Sequence, residues 1–265
     1  MNSTVRLTTL TRLGFAARGL LYLIIAYLVI SAGRPEDLSG ALQYLSQGSG
    51  QLLLFGITAG FIAYGIWRLA DALFNIERHP PDAKGLLQRL GAAGSGIAHL
   101  LLAWQAVKLI RGAGSLGSTG PQDEARIALA IPGGELALEI AGAMLVGVGV
   151  YQLIKAAKAE FLRDLQPEVA SKLWAKWTGR LGYAARGLVF LIVGFFLFRA
   201  GLDERPGSAG GMEQALVWLD KPWDQLVAAG LFCFGVFSLA EARFRMIHDV
   251  PVAEIARGNI PPSLH

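Results

Sequence analysis

Apolar positions gather into six long runs, near 13–33, 51–74, 90–111, 134–157, 181–200 and 223–243, with polar segments between them. Each approaches the ~20 residues that cross ~30 Å of hydrocarbon as a helix. The runs are apolar on every side, the pattern of buried or lipid-facing helices. Just before every second run lies a shorter motif: ALQYL from Ala41, ARIAL from Ala125 and ALVWL from Ala215. These predict short amphipathic helices lying along the outer surface. The longest polar connection, 158–179, is rich in Lys, Glu and Trp and predicts one short interfacial helix.

The six runs fall into three pairs. RLGFAARGLLYL at 12–23 returns as RLGYAARGLVFL at 180–191, and in a worn form as RLGAAGSGIAHL at 89–100. The second runs close alike, with GIWRLADALF from Gly65, GVYQLIKAAK from Gly149 and GVFSLAEARF from Gly235. Between its amphipathic motif and its closing motif the third unit is four residues shorter. That is about one helical turn, so the matching face is kept. Internal repetition of this kind marks a fold built from one supersecondary unit used several times. The expected architecture is all-α: a polytopic bundle of six transmembrane helices, as three two-helix units at 12–74, 89–157 and 180–245. Together they make one membrane domain with pseudo-threefold symmetry.

The repeated R-L-G-[FY]-A-A-R-G opening and the G-[IV]-[WYF]-x-L-x-x-A closing resemble the bacterial membrane family catalogued as domain-of-unknown-function family 1206. The resemblance spans about 12–245 and implies a six-helix integral membrane protein of the cell envelope. It implies no reaction, cofactor or catalytic residue. The middle unit departs from the pattern, with Ser95 in place of the second arginine.

Composition agrees with a membrane setting. Apolar residues make up 53% and charged residues 17% of the chain, against roughly a quarter charged in soluble proteins. Thirty-three glycines suit closely packed membrane helices. The net charge of +4 is better explained by cytoplasmic loops than by nucleic acid. Lys and Arg cluster on one side, with Arg78, Lys84 and Arg89 in one loop and Lys155 to Arg180 bounding another. The positive-inside rule then places both termini in the cytoplasm of a bacterial inner membrane. The first run follows basic residues and ends in VISAG, as a cleavable signal could. Its recurrence in the interior argues for a retained span. Cys233 is the single cysteine, so no internal disulfide or Cys-rich metal site can form.

Arg18 lies six residues beyond Arg12, roughly 9 Å further along the helix. A charge near the bilayer centre costs upward of ~2.5 kcal/mol, and less at this depth, but enough to favour a partner. Aligned by unit, Arg18 accompanies Asp71 and Arg186 accompanies Glu241. The middle unit has Ser95 and Lys155. Acid and arginine are thus present together twice and absent together once, the mark of paired charges. The expectation is two buried clasps, within or across units, with Lys155 at the interface or on Glu160. The alternatives are an anion or anionic lipid head group held by the guanidinium groups on the cytoplasmic side, or a transport gate.

Weaker candidates are His99, Lys108 and Glu139. His99 stands where the other units have Tyr22 and Phe190, and reads as an aromatic-sized packing residue or a proton relay. Lys108 snorkels to the outer interface, where Glu139 could meet it across the helix pair. Gly56 and Gly60 form a small-xxx-small pair for close helix approach or self-association. Trp67, Trp174, Trp177, Trp218 and Trp223 are placed for an interfacial belt. GAGSLGSTG at 112–120 is glycine-rich but follows a span, so it reads as a flexible connection. No phosphate-binding loop, H-E-x-x-H or G-x-S-x-G pattern is present. No catalytic, cofactor or metal residue is therefore assigned. The function expected is non-catalytic, with a structural, partner-binding or lipid-associated role and the lipid bilayer as partner. A protein partner or homo-oligomer stays open. The alternative is an ion channel or small-solute transporter.

Overall fold

The computed structural model of the chain describes residues 3–77, 79–112 and 120–246. Its helices are α1 (Ser3–Ala32), α2 (Leu38–Ser46), α3 (Gln51–Phe74), α4 (Ala83–Ile110), α5 (Pro121–Leu129), α6 (Gly134–Lys158), α7 (Pro167–Ala170), α8 (Leu173–Leu202), α9 (Met212–Leu219) and α10 (Trp223–Phe244). Six of these, α1, α3, α4, α6, α8 and α10, are long and apolar enough to cross a membrane. No sheet occurs among the described residues, only a single bridge between Leu165 and Arg245. The fold is the expected all-α, six-span bundle. Most of the 112–120 connection, 113–119, lies outside the described residues.

Local chemistry sets the helix ends. Asp37 accepts from the Gly40 N–H and Asp82 from the Gly85 N–H, each at 2.8 Å, capping α2 and α4. Asn75 (φ 52°) and Ala159 (φ 53°) take left-handed conformations that stop α3 and α6. The three amphipathic motifs form α2, α5 and α9, all on what is termed here the distal face. Each buries its small or leucine side: Ala41, Leu42 and Leu45; Ala125; and Met212, Ala215 and Leu216. Segment 158–179 differs from the single interfacial helix expected. It holds a 3₁₀ turn, Glu160–Asp164, then the one-turn α7, after which α8 starts at Leu173. Pro167 lacks an N–H to continue a helix from behind, so it starts a new one.

The units interlock head to tail. α3 packs on α4, α6 on α8, and α10 returns to α1, so the closing span of each unit lies along the opening span of the next. Each of these interfaces crosses at a glycine pair: Gly65 with Gly96, Gly149 with Gly187, and Gly235 with Gly19. A Cβ built on any of the six would come to about 3 Å from the facing glycine's carbonyl oxygen and meet a leucine besides: Leu100, Leu69, Leu191, Leu153, Leu23 or Leu239. Three crossings with the same glycines and the same leucines are what a cyclic pseudo-threefold arrangement produces.

Within units the symmetry is broken. In the first, Gly14 lies under Tyr64 and Gly60 on Ala17. In the third, Gly182 lies under Phe234 and Gly230 on Ala185. The matching middle positions are open. Gly91 and Gly94 meet nothing within 4 Å, Met144 is 65% exposed, and Val148 replaces the aromatic. α4 and α6 have parted. Of the GITAG pair, Gly60 makes the close approach and Gly56 faces open space. The membrane belt keeps Trp174, Trp177, Trp218 and Trp223 exposed, but Trp67 is buried against Phe15 and Tyr64.

Candidate functional site: a charge network at the proximal end

The buried charges concentrate at the proximal end of the bundle, where opening spans begin and closing spans finish. At the α10–α1 crossing, Arg18 Nη2 lies 2.6 Å from Glu241 Oε2, with Arg18 8% and Glu241 1% exposed. Arg18 Nε donates to Ser238 at 3.2 Å and Nη1 to the Tyr64 hydroxyl at 3.3 Å. Its guanidinium also sits 4.7 Å from the Phe15 ring centre and 5.1 Å from that of Phe234. The ion pair is therefore packed between rings and shielded from water.

The clasp runs across units, not within them. Arg18 is held by Glu241 of the third unit, whereas Asp71 of its own unit is engaged elsewhere. Asp71, fully buried, meets Arg68 at 3.3 Å and His79 Nε2 at 3.1 Å, and accepts the Glu77 N–H at 2.7 Å. Arg186 does not pair with Glu241. Its Nε donates to the Tyr22 hydroxyl at 3.1 Å and Nη1 to Gln152 at 3.4 Å. The reason is the head-to-tail interlock: the third and sixth residues after each closing glycine face the opening arginine position of the next unit. Ser238 and Glu241 meet Arg18 and Gln152 meets Arg186, while Arg68 and Asp71 hold the same register in the unit before Ser95 and Lys155 holds it in the unit before Arg186. One crossing is thus complete, one has an acid without its arginine, and one has two cations.

Arg245, just past α10, ties the network together. It reaches Glu77 at 2.7 Å, Asp164 at 3.1 Å and Glu241 at 3.1 Å. Burial alone would lower its pKa, but Glu77, Asp164 and Glu241 outweigh that and raise it, keeping the guanidinium charged. Burial would likewise raise the Glu77 carboxyl, yet Arg245 and Arg68 hold it below its ordinary value. Asp71, Glu77 and His79 bring potential metal-ligand atoms within 4.8 Å of one another. Arg68 and Arg245 already engage both carboxylates, so the negative charge that would draw a cation is neutralised.

The remaining candidates lie apart. His99 is buried, its Nδ1 2.7 Å from the Ser95 carbonyl and its ring against Phe61 and Tyr64. Lys108 and Glu139 form no ion pair among the described residues, because α4 and α6 have parted; Glu139 packs by Gly201 of α8. Gln105 instead bonds Ser39 of α2 at 2.9 Å. Lys155 lies 4.8 Å over the Tyr183 ring, and it is Lys158 that stands 4.0 Å from Glu160.

The family model described as Domain of Unknown Function (DUF1206) matches three segments, 13–75, 90–159 and 181–245. The chain belongs to this family. It is also similar to the Uncharacterized protein YxxB of Bacillus subtilis (strain 168), with 31% identity over 247 residues covering 88% of this chain and 90% of that one. No solved structure matches it.

Within this DUF1206 fold, the network includes residues that sequence reading left out. Arg245, Glu77, Arg68 and His79 sit at span ends or in loops, where polar residues are expected and carry no signal of their own. Tyr22, Tyr64 and Gln152 stand inside spans, and their hydroxyls and amide need a partner there. That requirement was the available clue.

Proposed function

We propose that this multi-pass membrane protein of the DUF1206 family is a non-catalytic, lipid-associated structural component of the bacterial inner membrane, with both termini in the cytoplasm. The carrying observation is where charge is placed. Arg18, Glu241, Arg245, Glu77 and Asp71 bond to one another at the proximal end, while apart from His99 and Tyr22 the span centres are mostly Leu, Ile, Val, Phe, Ala and Gly. A conducting path collects polar groups along one stripe through the midplane, and catalysis needs a nucleophile–base pair or comparable set within reach. The network instead supports fastening of the units to one another. The head-to-tail glycine crossings support the same role, since close backbone approach is how membrane helices hold together without a hydrophobic drive.

The second reading, a channel or small-solute transporter, draws on the interior placement of His99, Gln152 and Arg186. The test is flux. Purified protein in liposomes loaded with a pH- or potassium-sensitive dye should leak no faster than protein-free liposomes. Saturable flux of ions or small solutes would overturn the structural reading in favour of transport.

A further inference from the structure

We propose that the α6–α8 crossing is a binding site for a phosphate-bearing anion, held by Arg186 and Lys155 and oriented by Gln152. This deepens the lipid-associated role above and rests on it. The three crossings are equivalent in backbone but differ in charge. At α10–α1 the position six residues beyond the closing glycine is Glu241, and its carboxylate accepts from Arg18. At α6–α8 the same position is Lys155, and the opening arginine is Arg186. The neutral contact is preserved between the two: Gln152 bonds Arg186 as Ser238 bonds Arg18. The crossing therefore keeps its arginine and its polar spacer but has a cation where the carboxylate should be.

Nothing else in the network supplies the missing negative charge. Neither Arg186 nor Lys155 forms an ion pair among the described residues; the guanidinium meets Tyr22, Gln152 and the Phe190 and Phe234 rings, and the ammonium meets Tyr183. Glu241 and Asp164 are already held by Arg18 and Arg245. Arg18, Arg68 and Arg245 between them hold Asp71, Glu77, Asp164 and Glu241, which leaves Arg186 and Lys155 without a carboxylate. A guanidinium with unused N–H donors, and an ammonium held over Tyr183 one turn before it on α8, offer a phosphate the donors that a single neutral amide does not.

Access is built in at the same place. Arg186 is only half-buried, unlike Arg18. The middle unit is the one whose two spans have parted, leaving Gly91, Gly94 and Gly147 without neighbours within 4 Å and Val148, one turn before Gln152, 41% exposed. A phospholipid head group can enter sideways from the proximal leaflet there, and inorganic phosphate can enter from the water phase. The shared chemistry is the phosphate.

The test uses the full chain, delipidated in a neutral detergent. Native mass spectrometry and thermal stability are followed against phosphatidylglycerol, phosphatidylcholine and inorganic phosphate. The expected result is saturable binding of one phosphatidylglycerol, or stabilisation by phosphate in phosphatidylcholine micelles. The first identifies the head group as ligand, the second the free anion. Arg186→Gln and Lys155→Gln should each weaken binding at least tenfold. Lys155→Glu should abolish it while raising the ligand-free melting temperature, because it recreates the Arg18–Glu241 arrangement. That variant gains stability, so misfolding cannot mimic the loss. Wild-type affinity in Lys155→Glu would overturn the proposal, as would no preference for phosphatidylglycerol together with no response to phosphate. Flux through liposomes is read separately, so failure here is distinct from failure of the structural role.

Discussion

Removing Glu241 tests the cross-unit clasp quantitatively. Glu241→Gln keeps the volume and leaves Arg18, 8% exposed and 2.6 Å away, without its counter-charge. Breaking a buried pair from one side costs about 3–5 kcal/mol, most of it from the charge left behind. Arg245 also loses a carboxylate, but retains Glu77 and Asp164, so its share is small. Arg18→Met should cost less, about 1–3 kcal/mol, because Glu241 keeps Arg245 at 3.1 Å. The double variant removes both charges, and its loss should fall well below the sum. The coupling between the two positions should be about 2 kcal/mol or more, against about 0.5 kcal/mol for sites that act independently. Arg18→Met with Asp71→Asn serves as the control, and should be additive. The assay is reversible unfolding in mixed micelles with increasing dodecyl sulfate, followed by tryptophan fluorescence. Single costs under about 1 kcal/mol, or stronger coupling of Arg18 to Asp71 than to Glu241, would refute the reasoning.

Four further outcomes follow from the same geometry. Gly14→Ala should destabilise by about 1–3 kcal/mol through overpacking against Tyr64. Gly91→Ala, at the equivalent position in the open middle unit, should be neutral or stabilising by up to about 1 kcal/mol; both are read by melting temperature. Glu77 has a folded pKa below its ordinary value of 4.5, so its stabilisation is present above that value and lost as pH falls through the folded pKa. Glu77→Gln should therefore lower the melting temperature at pH 6 to 7, with the difference from wild type shrinking on acidification below 4.5. Ser238→Ala, which removes only the hydroxyl that accepts from Arg18 Nε, should cost about 1–3 kcal/mol, as a charge-assisted bond does.

Much of the fold was legible because apolar length and internal repetition are properties of the chain itself. Six spans, three units and the amphipathic distal helices are read directly from such patterns. The pairing of units was not legible. Aligning the repeats shows which positions are equivalent, but leaves open which copy a given copy touches. Arg18 could face Asp71, Lys155 or Glu241 with the same periodicity, and only packing chooses. Paired within units, the charges are matched twice and absent once. Shifted by one unit, as the glycine crossings require, they resolve into Arg18 with Glu241, Asp71 at the crossing whose opening position is Ser95, and Lys155 at the crossing whose opening position is Arg186. The parting of α4 and α6 did have a trace in the sequence: Met144 and Val148 stand where the other units have a glycine and an aromatic ring. Loop residues such as Glu77 and His79 had none, since polar residues there are the rule.

The ring closes where the last span, α10, lies on the first, α1. Leu23→Cys with Gly235→Cys, in a Cys233→Ser background, tests it directly, because the Leu23 side chain lies 2.9 Å from where a Cβ on residue 235 would be. Mild oxidation in native membranes should form an intramolecular disulfide that keeps the two ends of a chain cleaved between the units together until reduction. Leu23→Cys with Gly149→Cys should not form one. A crosslink in the second pair, or none in the first, would contradict the head-to-tail arrangement on which the charge network and the anion site both depend.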